Sequence, residues 1–342
     1  MRMLILMVAG FLISCLATAA PVEIKIASVA PEGSVWMKEI RTAAAEIKSR
    51  TAGRVVVKLY GGGVMGNDKQ VLRKIRIGQL HGGAFTASGL SEKYPDLVLY
   101  GLPMIFRSQA EVDYVRARMD PVIAQGIEKA GFVSFGIAGG GFARILASKP
   151  VATTADMRGQ KIWVLEGDRV SAAAIQALQL APVSLPVTDV LTGLQTGLLD
   201  VIAAPPVGAI ALQWHTRVKY ITDVPLMYTM GVMAVDAKPF ARIEAADQKV
   251  FREVMGAVYK RLDAMSSRDD VAAQKALLAG GIKLVEAAPR DVAEWRKACE
   301  SANTQLGQQG AFAPALLAEL QKHLQDFRNT AAAKSPSVAV GR

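Results

Sequence analysis

Strand-like apolar segments alternate with amphipathic helical segments at the start of the chain, and this alternation restricts the fold more than any other feature. Residues 23–29 and 54–60 have the alternation and β-branched content of strands, and residues 80–87 resemble a third, shorter strand. Residues 31–53 and 68–77 carry apolar side chains at helical spacing and are followed or ended by glycines. The order β-α-β-α-β is that of a mostly parallel sheet flanked by helices.

Three glycines after the second strand, Gly61, Gly63 and Gly66, fit the spacing G-x-G-x-x-G of dinucleotide-binding sites. Such a site also needs an acidic residue about 20 positions further on to bind the ribose. No Asp or Glu follows Asp68 until Glu92. We therefore interpret the glycines as a permissive turn between strand and helix, and we expect no cofactor.

The rest of the chain predicts a second α/β lobe at about residues 146–233 and, after it, one long helix over residues 244–278. A helix of that length would extend roughly 50 Å, which is enough to brace two lobes. Residues 266–270 (SSRDD) are a place where it could kink or split. We also expect a helix over residues 210–221.

The first nineteen residues have the features of a secretory signal peptide: Arg2, an apolar stretch and an A-x-A cleavage site at Ala17–Ala19. Residues 12–15 also resemble a bacterial lipobox, which would place a lipid on Cys15. Cys299 is the one other cysteine, so no internal disulfide is expected after export. We expect a periplasmic protein, with a lipoprotein as the alternative.

The net charge of the chain is +10, and removal of Arg2 with the signal peptide leaves +9. The basic residues are dispersed, so we interpret them as a solvated surface, with attraction of anionic solutes or membranes as the alternative. Export argues against a nucleic-acid partner. His81, His215 and His323 lack metal-ligand spacing, and no G-x-S-x-G occurs. We expect neither a metal site nor catalytic residues, and therefore no enzyme.

Four motifs occur in order along the chain. They are the strand, turn and helix of residues 59–83, LPMIFRS at 102–108, GGGFARILASKPVATTADMRGQKIWV at 139–164 and VSLPVTDVLTGLQTGLLD at 183–200. Together they resemble the substrate-binding subunits of TRAP (tripartite ATP-independent periplasmic) transporters, the DctP-like family. The resemblance implies two α/β lobes of the periplasmic binding protein fold, a central cleft and a long helix spanning both lobes. It also implies delivery of an organic acid to the TRAP membrane permease subunits. We expect a monomer.

The expected organisation of the chain follows from these segments. It comprises a signal peptide at 1–19, one lobe of 22–145 plus 234–265, a second lobe of 146–233 plus 266–328, and a flexible tail at 329–342.

This sequence departs from the family at one expected cleft position. Relatives usually have an arginine after G-x-K-I that holds a substrate carboxylate, and here Trp163 follows Ile162. An indole has about 150–250 Å² of surface, and covering it with apolar ligand contributes several kcal/mol. We therefore expect a monocarboxylate with an apolar or aromatic portion. The alternative is that Trp163 packs in the core.

Arg144 is the best candidate for binding an anionic group through two parallel hydrogen bonds. Its alternative role is a structural salt bridge between lobes. Glu166 and Asp168 are expected to bind a ligand amine or to cap the next helix. Further residues expected to line the cleft are Trp36, Phe85, Thr86, Pro205 and Trp214.

The main hypothesis is thus a periplasmic solute-binding protein of a TRAP-type transporter. Two alternatives stay open: a lipid-anchored or soluble carrier of an apolar metabolite, and an exported enzyme with the same fold.

Overall fold

The computed structural model describes residues 20–334. The predicted signal peptide, Cys15 and residues 335–342 lie outside the described residues. The strands are β1 (Val22–Ser28), β2 (Val55–Tyr60), β3 (Gly82–Thr86), β4 (Phe132–Ala147), β5 (Ile162–Leu165), β6 (Pro182–Leu185), β7 (Val201–Ala204), β8 (Tyr220–Asp236) and β9 (Lys283–Val285).

The helices of the described chain are α1 (Val35–Arg50), α2 (Asp68–Arg76), α3 (Ala87–Leu90), α4 (Gln109–Lys129), α5 (Thr154–Met157), α6 (Arg169–Ala177), α7 (Val190–Gln195), α8 (Pro206–Ala211), α9 (Ala237–Phe240), α10 (Ala245–Ala279), α11 (Pro289–Gln308) and α12 (Pro314–Lys334). Short 3₁₀ helices cover Pro95–Gly101, Val187–Asp189 and Trp214–Arg217. None of the helices in residues 20–334 has the length and apolar character needed to cross a membrane.

The described strands form one sheet in the order β2-β1-β3-β8-β4-β7-β5-β6, with β9 beside β8. Strands β1, β2 and β3 are parallel to one another, as are β5, β6 and β7. The long strands β4 and β8 pair antiparallel between these two groups. The first half of the molecule comprises β1–β3 with α1, α2 and α4, and the second comprises β5–β7 with α6–α8 and α11.

The opening β-α-β-α-β unit forms as the sequence predicts. Helix α2 begins at a capping box, in which Asn67 accepts from the Gln70 backbone and Gln70 accepts from the Asn67 backbone. The glycine turn before it is tied to the end of β1, because Gly62 N donates to Ala30 O (2.8 Å) and Gly63 N donates to Ser28 O (3.0 Å). Two backbone donors of the turn are therefore used within the protein.

Helix α10 is a continuous helix of 35 residues, about 52 Å long at 1.5 Å per residue. It contacts α1 in the first half, α8 in the second half and β4 between them. Residues 266–270, where the helix could kink or split, lie within this one helix, so it does not split there. Ser266 and Asp270 are buried on its inner face, and the segment contains no proline or glycine to interrupt the hydrogen bonds.

The prediction of a helix over residues 210–221 is wrong. Helix α8 ends at Ala211, and Gln213 adopts a left-handed conformation with φ +60° that stops the helical path. The chain then enters β8 at Tyr220, which pairs with Ala147 of β4.

The C-terminal region also differs from expectation. Helix α12 continues through Lys334, so residues 329–334 of the expected tail are helical. Although residues up to 328 were expected in the second lobe, α12 packs on α4 of the first half. Leu320 and Leu324 join the apolar cluster of that half, and Arg328 pairs with Glu111 at 2.7 Å. The remaining lobe boundaries stay predictions.

A buried arginine connects the two long strands to the helices on their face. Arg116 of α4 donates through Nη1 to Asp263 of α10 (2.6 Å) and to the hydroxyl of Tyr228 on β8 (3.1 Å). Its Nη2 donates to Asp120 (3.0 Å) and to the carbonyl of Ile137 on β4 (2.9 Å). The guanidinium therefore holds four elements together at the centre of the molecule.

We expect Arg116→Met to lower the free energy of unfolding by about 2–4 kcal/mol. Asp120 and Asp263, each about one third exposed, would lose a charged donor, as would the buried Tyr228 hydroxyl and Ile137 carbonyl. The measurement is urea-induced unfolding.

Arg118→Met is the matched control on the same helix, since Arg118 is exposed and donates only to the Tyr114 carbonyl and stacks on its ring. Equal stability of the two variants would contradict the structural role of Arg116.

Candidate functional site

A cavity of about 800 Å³ lies between the two halves. Its walls come from the C-terminal ends of β1, β3, β5 and β7, the start of α1, the middle of β4 and β8, and parts of α6, α8 and α10. Open α/β sheets commonly bind ligands outside the carboxyl ends of their parallel strands. The volume is within the range of about 300–1,000 Å³ that is typical of small-molecule sites.

Six of the eight ligand residues proposed from the sequence line this cavity. They are Trp36, Phe85, Thr86, Trp163, Pro205 and Trp214. Trp295 lines it as well, so all four tryptophans of the chain contribute to one cavity. Contact of these residues with a ligand stays a prediction.

Trp163 on β5 both packs in the second half and lines the cavity. Its Nε1 donates to the carbonyl of Leu185 (2.9 Å), and its ring meets that of Trp214 edge-on at 5.3 Å. The side chain is partly buried against an apolar cluster of the second half. The two interpretations drawn from the sequence are therefore both compatible with its position.

Arg144 on β4 is not among the residues that line the cavity. Its neighbours Ala143 and Ile145 do line it, and side chains alternate between the faces of a strand. The guanidinium lies 3.3 Å from Asp223 and 3.4 Å from Asp270. These contacts form a structural salt bridge on the part of β4 that pairs with the second half, rather than one between lobes. The ligand-anchor role of Arg144 gains no support from its position and stays a prediction.

Asp270 shows how closely this salt bridge is built into the second half. Burial raises the pKa of its carboxyl, although Arg144 acts in the opposite direction. Its other oxygen accepts from the backbone N–H of Val207 in α8 at 3.5 Å. Arg144 and Asp270 thus connect β4, α10 and α8.

Glu166 and Asp168, expected near a ligand amine or at a helix cap, have separate roles in the structure. Asp168 caps α6, accepting from Val170 N (3.0 Å), Ser171 N (3.1 Å) and Ser171 Oγ (2.7 Å). Glu166 lines a smaller neighbouring cavity of about 360 Å³ and accepts from Asn67 Nδ2 at 2.8 Å. That hydrogen bond joins the two halves at the smaller cavity.

A run of three glycines in β4 shapes the cavity floor, which the sequence analysis did not assign to the site. Gly139 and Gly140 line the cavity. A Cβ at Gly139 would lie 2.0 Å from the hydroxyl of Tyr228, so a side chain there would displace that tyrosine. Gly141 has φ +87°, a conformation that favours glycine. The run allows side chains of β8 and α10 to approach β4 closely beside the cavity.

Apolar wall residues form the second group that sequence reasoning missed. Ordinary core residues have no chemical signature, so nothing in their local sequence marks them as cavity residues. They include Met104, Ile145, Leu178, Met227 and Cys299.

Asp68 and Thr86 lie between the two cavities. Asp68 lines the smaller cavity and accepts from Thr86 Oγ1 (2.8 Å) and Thr86 N (3.3 Å), while Thr86 lines the larger one. Burial raises the pKa of the Asp68 carboxyl to about 6, although both Thr86 hydrogen bonds act to lower it.

Within residues 20–334, no group of three or more His, Cys, Asp or Glu side chains is arranged to hold a metal ion.

Comparison with known protein families gives a match over most of the chain. The family described as bacterial extracellular solute-binding protein, family 7 (DctP), matches residues 26–309.

Among curated proteins, the C4-dicarboxylate-binding periplasmic protein DctP of Shewanella loihica is 27% identical over 190 residues, covering 53% of this chain and 54% of that protein. The protein YiiZ of Salmonella typhimurium is 26% identical over 221 residues, covering 59% of this chain and 64% of that protein. The matches therefore span less than two thirds of the length of these relatives.

Solved structures share the whole fold. The sugar acid binding protein DctPAm of Advenella mimigardefordensis, in complex with galactonate, superimposes with a TM-score of 0.82 at 18% identity, covering 90% of this chain and 98% of that one. A TRAP periplasmic solute-binding protein of Ralstonia eutropha with bound (S)-2-acetolactate also gives 0.82, at 22% identity, covering 89% and 99%. At these identities the likeness shows the fold, and it confirms the expected two-lobed α/β architecture.

The raised pKa of Asp68 predicts a pH-dependent effect on stability. Its folded pKa of about 6 exceeds the reference value of 3.8. Its contribution is therefore fully present below about pH 4 and is lost as pH rises through 6. We expect Asp68→Asn to gain stability relative to the unchanged protein between pH 5 and 7.5, by about 1–3 kcal/mol at the upper end.

The measurement is urea unfolding of both proteins across this pH range. Glu92→Gln controls for removal of one negative charge, because the Glu92 side chain lines the same small cavity but is 57% exposed. A stability difference between Asp68→Asn and the unchanged protein that stays constant from pH 5 to 7.5 would show that Asp68 does not titrate as described.

Proposed function

The chain belongs to family 7 of the bacterial extracellular solute-binding proteins, the DctP family, and on this premise we propose that it is the periplasmic receptor of a TRAP transporter. It binds an organic solute between its two halves and delivers it to the membrane permease subunits. Members of such a family bind solutes without converting them, and family membership thus confirms that the chain is not an enzyme.

The observation that carries the proposal is the large cavity between two halves that are connected by two long strands and one long helix. Strands β4 and β8 and helix α10 pass from one half to the other. The cavity opens where the parallel strands of both halves end. A solute held there touches both halves, so its binding free energy favours their closure.

Two contacts support closure of the halves over a solute. Asn67 of the first half donates to Glu166 of the second half at 2.8 Å, beside the smaller cavity. In the same region Gly63 approaches Thr188 so closely that a Cβ would lie 2.7 Å from the Thr188 methyl group. A permease that recognises this joined surface would distinguish the loaded receptor from the open one.

The walls favour a solute with a large apolar or aromatic portion. Among the described residues that line the cavity, tryptophan, methionine and aliphatic side chains predominate. The monocarboxylate with an apolar or aromatic portion, expected from the sequence, and a wholly apolar metabolite both have such a portion. The wholly apolar metabolite is favoured because, among the described residues, no Lys, Arg or His lines the cavity.

We expect the freshly purified protein to carry one solute molecule per chain in native mass spectrometry, released on denaturation. Because all four tryptophans line the cavity, adding the identified solute to stripped protein should change the intrinsic fluorescence. A solute at 100 times its Kd should stabilise the protein by about 2.7 kcal/mol.

A blocked cavity provides the control. Ala203→Phe adds a ring to a lining residue and should abolish co-purification, whereas Leu198→Phe adds one at a position that is 47% exposed and should not. Absence of any stoichiometric solute from the unchanged protein, with no small molecule altering its fluorescence or melting temperature, would contradict the proposal.

The state of the mature N-terminus separates the free receptor from the lipid-anchored alternative. Cleavage after Ala19 should give a chain that begins at Ala20, measured by intact mass of the secreted protein. A mass that corresponds to a lipid on Cys15 at the new N-terminus would instead support the anchored carrier.

A further inference from the structure

We propose that the solute of the large cavity is an uncharged, predominantly apolar organic molecule with at most a neutral hydrogen-bond acceptor. This inference rests on the proposed solute-binding function and specifies the ligand class of the same site. It differs from the organic acids bound by the proteins of similar fold.

The first argument is the charge of the lining. Among residues 20–334, no Lys, Arg or His lines the cavity, and its charged side chains are Asp168 and Asp269. A carboxylate enclosed there would lose its hydration without gaining an ion pair, and it would face two negative charges. The basic side chains that give the chain its net charge of +10 therefore lie outside this lining.

Two arginines that lie behind the cavity walls are already engaged. Arg144 is held by Asp223 and Asp270, and its side chain is 15% exposed. Arg116 lies behind the wall residue Tyr228 and pairs with carboxylates of α4 and α10. Moving either guanidinium into the cavity would leave buried or partly buried carboxylates unpaired, which is strongly unfavourable.

Hydroxyl groups of the lining give the same result, because several donate their proton to the protein itself. Such a committed hydroxyl offers a carboxylate ligand no hydrogen bond unless it first breaks one. The pairs are Ser34 to Pro31 O (2.6 Å), Thr86 to Asp68 (2.8 Å), Ser171 to Asp168 (2.7 Å) and Thr229 to Gly141 O (2.9 Å).

The smaller cavity does not supply the missing cation. Lys69 and Arg169 line it, but both are exposed, so water screens their charges. Four carboxylates line the same space and outnumber them, namely Asp68, Glu92, Glu166 and Asp168. An anionic head group placed there would meet more negative than positive charge.

A cationic ligand is disfavoured by the use of the two lining carboxylates. Both oxygens of Asp168 accept hydrogen bonds from the start of α6. Asp269 lies 3.8 Å from Arg268 and is about one third exposed.

Neutral donors remain for recognition. Among the described residues, the indole N–H groups of Trp36 and Trp214 and the hydroxyl groups of Ser28, Ser88 and Ser266 line the cavity and donate no hydrogen bond to the protein. Such groups can donate to a carbonyl or ether oxygen, so the fitting ligand has an apolar or aromatic skeleton and a neutral oxygen acceptor.

The test compares neutral and acidic molecules of the same skeleton at pH 7.5. The probes are methyl phenylacetate against phenylacetate and 1-decanol against decanoate, titrated into stripped protein and followed by tryptophan fluorescence. We expect the neutral member of a pair to bind at least tenfold more tightly. Tighter binding of the acid would overturn the inference while leaving solute binding intact.

A substitution that supplies a cation should reverse this preference. Trp163→Arg places a guanidinium in the lining and should favour the acid by at least tenfold, whereas Trp163→Phe keeps an apolar ring and should keep the neutral preference. Circular dichroism establishes that both variants fold. If Trp163→Arg does not fold, the comparison of neutral and acidic probes on the unchanged protein still tests the inference.

The co-purified solute decides the case in which neither probe pair binds. An uncharged molecule released from the cavity supports the inference, and one that is ionised at pH 7.5 overturns it. Absence of both a co-purified solute and probe binding overturns the inference together with the proposed function.

Discussion

Everything else in this molecule depends on the antiparallel pairing of β4 and β8. These strands of 16 and 17 residues are the centre of a sheet whose parallel strands lie on either side. The same two strands belong to both halves, so the halves stay joined. The cavity lies beside the middle of these strands. The glycines of β4 allow the close approach, and the network around Arg116 fixes the strands to α4 and α10. The position of the site is thus a consequence of strand pairing.

The chemistry of the site is defined by charges that the protein keeps away from it. The chain carries 40 basic residues, yet none of those in the described part lines the large cavity. Arg144 is the clearest case. Its neighbours on β4, Ala143 and Ile145, line the cavity, whereas the Arg144 side chain points to the other face of the strand, towards Asp223 and Asp270. In the ligand class proposed here, such a wall would select against acids by offering a desolvated carboxylate no partner.

The sequence predicts the architecture well because local patterns determine it. Strand and helix periodicity give the opening unit and α10, and the ordered motifs give the family. The prediction fails where tertiary contacts decide: Gln213 ends a helix through its backbone conformation, and α12 joins the first half through Leu320 and Leu324. For the site, aromatic residues such as Trp163 could be proposed in advance. The outward direction of Arg144 could not, since it follows from strand register and its two partner carboxylates, which lie far away in the sequence.

Cys299 on α11 is the single thiol of the described chain, and it lies at the cavity wall, 5% exposed. Burial raises the pKa of this thiol to about 12. Burial thus favours the protonated thiol over the reactive thiolate at neutral pH. In an oxidising compartment, an exposed unpaired cysteine can form a disulfide between two copies of a protein. The burial and protonation of Cys299 disfavour that reaction.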